Sequence, residues 1–72
     1  MSSNTDRWVE MQPFEGTTVR IELTRNGKLW HAQAARLAGR DIERQILANA
    51  VGVDFEVVRH EVLQRAAHSL KH

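Results

Sequence analysis

The chain has 72 residues and a mass of 8.2 kDa, with 42% hydrophobic and 26% charged residues, ten Lys plus Arg against nine Asp plus Glu, and no cysteine. That length holds one domain, because a second core needs about 50 residues of its own, and the missing thiols exclude a disulfide framework or a thiolate zinc site. No apolar run reaches the roughly 18 residues of a membrane span, and a net charge of +1 lacks the basic balance that nucleic-acid binding leaves on a whole domain.

Residues 1–6 read as a flexible polar tail without the basic and apolar regions of a secretory leader, and the expected location is cytoplasmic. Trp8-Val9-Glu10-Met11-Gln12 alternates and is stopped by Pro13, which suits an outer strand because proline cannot donate to a central ladder. Phe14-Glu15-Gly16-Thr17 is a turn with Gly16 as its permissive residue. From Thr18 to Ala35 two runs flank Asn26-Gly27, a dipeptide suited to the centre of a tight hairpin. Counting outward from it pairs Leu23 with Trp30, Ile21 with Ala32, Val19 with Ala34 and Glu22 with His31, and the second strand is expected to end near Ala34.

From Gly39 onward Ile42, Ile46, Leu47, Ala50 and Val51 fit a helical period, with Asp41 as N-cap and Gly52 as the residue that ends the helix. Asp54 then caps a second helix whose buried stripe is Phe55, Val58, Val62, Ala66 and Leu70, widened by Leu63. The predicted fold is therefore α+β: a small three-stranded antiparallel sheet, with its hairpin turn at Asn26-Gly27, packed against two C-terminal helices. The apolar supply exceeds what such a core obviously needs, so some of Trp8, Met11, Phe14, Trp30, Val51, Phe55, Val57 and Leu63 are expected to be exposed.

Catalytic motifs are missing. There is no glycine-rich phosphate loop, nucleophile elbow or His-Glu-x-x-His, and the only serines are Ser2, Ser3 and Ser69. A domain of this size rarely encloses a pocket of about 300 Å³ by itself. An enzyme would have to rest on Glu22 opposite His31 at a subunit interface, and an ordinary cross-strand polar pair is the better explanation of those two residues. His68 and His72 share one helix face at a spacing that metals use, but no third ligand is placed; solvated histidines account for them, and no metal or cofactor is expected.

Gln45 to His60 resembles a helix-turn-helix core, with Ala48 small in the first helix, Gly52 and Val53 at the turn, and Val58 facing inward. The resemblance implies a recognition unit reaching Ala66, with Arg59, His60 and Arg65 as its nucleic-acid contacts. Glu61 departs from it by standing where an inward apolar residue belongs. The chain also resembles a small proteobacterial family with a β-hairpin followed by helices, through Asn26-Gly27 and the spacing of Phe55, Arg59, Val62 and Ala66. That likeness implies a bacterial α+β domain and no activity. The leading expectation is a non-catalytic domain that binds another protein or a second copy through the region of Trp8 and Trp30 or the outer helix face, and the alternative is a DNA-binding regulator using residues 45–66. Neither a membrane nor a small-molecule substrate is evident as a partner.

Overall fold

The computed structural model of the protein describes residues 6–14, 16–37 and 44–71. Four strands, β1 (Arg7–Phe14), β2 (Thr17–Asn26), β3 (Leu29–Leu37) and β4 (Arg44–Gly52), precede one helix, α1 (Phe55–Leu70). The strands pair with their chain neighbours in one antiparallel sheet of order β1-β2-β3-β4. The α+β class holds, but the expected three strands and two helices are corrected to four strands and one helix.

The correction falls on residues 44–52. The run Gln45-Ile46-Leu47-Ala48-Asn49-Ala50-Val51-Gly52 fits a helical period through Ile46, Leu47, Ala50 and Val51, and a strand period through Ala48, Ala50 and Gly52. Short apolar runs do not separate these two states. Pairing decides: Trp30, Ala32 and Ala34 of β3 lie opposite Gly52, Ala50 and Ala48, and without β4 their buried main-chain groups would lack partners. With this segment extended, the helix-turn-helix is replaced by a strand, a bend at Val53 and a helix. Asp41, expected as a helix cap, lies outside the described residues.

The β2–β3 hairpin is present in a different register. Asn26 pairs with Leu29, so Gly27 and Lys28 make the turn, with Gly27 at φ 68°. Leu23 then meets Ala32 and Ile21 meets Ala34 instead of Trp30 and Ala32, and β3 runs on to Leu37. The register differs from the expected one by two residues, an even number, and so the apolar face is unchanged. Gly16, at φ 85°, supplies the turn between β1 and β2 as expected.

One sheet face carries the core. Val19, Ile21 and Leu23 of β2, with Ala32, Ala34, Ala48 and Ala50, are buried against Val58, Val62 and Ala66 of α1. Four alanines on β3 and β4 leave room for the helix to lie close on those strands. Gly52 extends that clearance to the strand end, where an added Cβ would stand 2.9 Å from Val58 Cγ2. Asp54 caps α1 as expected, accepting from the Val57 amide at 3.2 Å, which satisfies one of the otherwise unpaired first-turn donors. Phe14, Trp30, Phe55, Leu63 and Leu70 pack around the core while Trp8, Met11, Val51 and Val57 are exposed, so the expected excess of apolar side chains divides between the two.

Candidate functional site

Among the described residues β1 and β4 are the two edges of the sheet. The orientation of β1 follows from one bond. The Arg25 amide donates to the Asp6 carbonyl at 2.8 Å, so residue 6 turns its main-chain groups toward β2. Alternation along an antiparallel ladder then turns Trp8, Glu10, Gln12 and Phe14 toward their partners Leu23, Ile21, Val19 and Thr17. Arg7, Val9, Met11 and Pro13 direct their main-chain groups away from the sheet. Pro13 thus occupies a phase at which its missing N–H breaks no ladder bond. Trp8, Val9 and Met11 are 47%, 39% and 54% exposed, so three consecutive edge amides, at Arg7, Val9 and Met11, are bordered by apolar side chains in water.

The inner face of β1 is tied to the helix by a partly buried ion pair. Arg59 donates from Nε and Nη2 to the two carboxylate oxygens of Glu10, both at 2.9 Å. Trp8 Nε1 at 2.6 Å and Gln12 Nε2 at 2.7 Å complete the shell of donors. The Glu10 side chain is only 13% exposed. The bond from Arg59, outweighing the burial that pushes the other way, holds its carboxyl at about 2 against an ordinary 4.5. Beside this clamp Phe55 stands edge-on to both tryptophans, with ring centroids 5.9 Å from Trp8 and 4.9 Å from Trp30, the separation at which such rings attract. Arg25 lies over the Trp30 ring at 5.7 Å.

Two carbonyls of the β4 edge are bonded by the helix. Asn49 turns its carbonyl outward, where Arg65 Nη1 donates to it at 2.8 Å, and Ser69 Oγ donates to the Leu47 carbonyl at 3.1 Å. Arg65 and Ser69 are one helical turn apart, and they reach carbonyls two residues apart along the strand. The register shifts between Ala34 and Ala35, whose partners are Ala48 and Ile46, so Leu47 is the extra residue of a bulge. Bulges and charged side chains are both ways of protecting an edge from pairing.

These positions revise the sequence-based site. Trp8 and Trp30 are brought together through Phe55, Trp8 half in water and Trp30 packed on the core. Arg59, expected as a nucleic-acid contact, is engaged by Glu10, and Arg65 is engaged by Asn49 and by Glu61 at 3.0 Å. His60 is exposed on α1, but the helix that would precede it in a DNA-reading unit is β4. Glu22 lies opposite Gln33, not His31, which pairs with Thr24. Its carboxylate accepts from Arg7 at 2.7 Å and Arg20 at 3.1 Å, which leaves it an ion-pair partner instead of a base for His31. Among the described residues no cluster of three ligating side chains exists, and His72 lies outside them.

Sequence reasoning missed the edge residues Arg7, Val9 and Met11, although Pro13 carried the signal: residues in phase with an edge proline share its outward direction. It also missed Glu10, a carboxylate on the strand face that the helix covers. Comparison with family models, curated proteins and solved structures finds no match to this chain. Among the described residues no helix is long and apolar enough to cross a membrane.

Proposed function

We propose that this chain is a non-catalytic binding domain that works by accepting an extended protein segment along β1. The observation that carries this reading is the difference between the two edges: on β1 the outward main-chain groups of Arg7, Val9 and Met11 keep one unbroken phase beside exposed Trp8, Val9 and Met11, whereas on β4 the bulge at Leu47 breaks the phase and the Leu47 and Asn49 carbonyls accept from Ser69 and Arg65. Strand addition draws affinity from main-chain hydrogen bonds and selectivity from alternate side chains. β1 offers both, with Trp8 on one face and Val9 and Met11 on the other. Its support on the core side, the Glu10–Arg59 pair and the Trp8–Phe55 contact, keeps the strand extended before any partner arrives.

The test selects randomised extended peptides on the immobilised full chain and re-measures each binder against Val9→Pro. That substitution deletes an edge amide that makes no bond among the described residues. Binders that lose at least about tenfold in affinity, about 1.4 kcal/mol, support strand addition at β1. Failure to recover binders, or binders indifferent to Val9→Pro, overturns it.

A further inference from the structure

We infer that the segment seated on β1 is β1 of a second copy, paired antiparallel about Val9. This identification of the occupant rests on the strand-accepting reading of the edge. In that register Val9 meets Val9 and Arg7 meets Met11 of the second copy in both directions, so every outward amide from Arg7 to Met11 finds a carbonyl. Pro13 falls beyond the paired segment, where its missing N–H costs nothing. A register displaced by one edge pair, with Val9 opposite Met11, sets Pro13 against Arg7 and loses a bond at each end. It also places Glu10 directly opposite Glu10, a destabilising like-charge contact.

The side chains agree with the Val9-centred register. On the outer face the two Val9 side chains adjoin and each Arg7 faces a methionine, while on the inner face Trp8 faces Glu10, whose charge Arg59 already compensates. No like charges meet across the two-fold axis. The exposed parts of Trp8, Val9 and Met11 are covered, which supplies burial that a 72-residue core resting on small residues lacks. Closure also favours a second copy. Pairing of β1 with itself is two-fold and closes, and at the other edge the bulge at Leu47 and the bonds from Arg65 and Ser69 to two of its carbonyls discourage further addition. The product is an eight-stranded sheet with both helices on one face.

Sedimentation velocity of the full chain from about 5 to about 500 μM tests this, since an interface at the small end of the specific class associates in that range. The expected result is a monomer–dimer equilibrium with no larger species. Val9→Pro is expected to be monomeric throughout. Met11→Lys, which leaves the main chain intact and places a lysine opposite Arg7 twice per dimer, is expected to weaken the dimer at least about tenfold. A wild-type chain that stays monomeric, or a dimer that survives both substitutions, overturns the proposal. If the chain is monomeric yet peptides sensitive to Val9→Pro still bind, the second copy is the wrong occupant and the strand-accepting edge stands; if neither associates, both fall.

Discussion

The two edges of this sheet are built from similar strands and end in opposite states. β4 lies under α1, with Ala48, Ala50 and Gly52 small enough for the helix to approach, and at that distance Arg65 and Ser69 reach over the strand to its outward carbonyls. β1 lies two strands from β3, and the gap to it is spanned by side chains, Arg59 reaching Glu10 and the Phe55 ring standing against Trp8. Edge protection here follows helix placement: two carbonyls of the strand that the helix rests on are bonded by it, and among the described residues no side chain bonds the outward groups of the far strand. A single helix on a four-stranded sheet therefore makes an asymmetric object from a symmetric order of strands.

The largest expected effect comes from disturbing the contact that seats the helix on β4. Gly52→Ala forces a Cβ to within 2.9 Å of a methyl of buried, β-branched Val58, and overpacking of this kind costs about 1–3 kcal/mol. In a domain of this size thermal unfolding should then fall by roughly 5–15 °C. A midpoint unchanged within error would mean that the helix does not sit as tightly on β4 as its distance from Gly52 indicates.

The tether on the other side is expected to show itself in acid. The Glu10 carboxyl is held at about 2 in the folded chain and returns toward 4.5 when unfolded. Its contribution is therefore complete above about pH 4.5 and is lost as the pH falls toward 2, with a ceiling of about 3 kcal/mol for a mostly buried group. Glu22, also held below the usual carboxylate range by Arg7 and then Arg20, acts in the same direction. Urea unfolding at a series of pH values should show Glu10→Gln less stable than wild type at pH 6 and the two converging near pH 2. Parallel curves across that range would show that the Glu10–Arg59 pair does not hold β1.

The smallest change in stability is expected from uncovering β4. Arg65→Ala with Ser69→Ala removes two exposed hydrogen bonds, worth together about 1 kcal/mol or less, yet gives the sheet a second open edge. Light scattering should then detect species larger than a dimer at concentrations where the wild-type chain shows none. If the double variant behaves as the wild type does, the two helix side chains are not what distinguishes the edges.

Several elements are legible in the sequence. The alternation Val19-Arg20-Ile21-Glu22-Leu23 identifies the buried face of β2, and Asp54 with the stripe Val58, Val62 and Ala66 marks the helix and its inward side. Pro13 places β1 at an edge because a missing donor is a local property. Each of these rests on chemistry within a few residues, and each is found in the structure. The hairpin turn was legible to within one residue: Asn26-Gly27 marks where the chain reverses, but whether Asn26 belongs to the strand or the turn depends on what Leu23 and Ile21 find opposite them.

Tertiary structure alone decided the rest. Leu47, Ala48 and Ala50 carry no strong preference for strand, and the run they occupy satisfies both periods. It became β4 because the open side of β3 had buried main-chain groups to pair, a demand made from outside the segment. The Glu10–Arg59 clamp joins residues 49 apart in the chain, and nothing local to either announces the other. The same holds for the bonds that close β4. Local sequence determined the periodic faces, the turns and the cap; long-range hydrogen-bond satisfaction determined the fourth strand, the register and which edge of the sheet was left open.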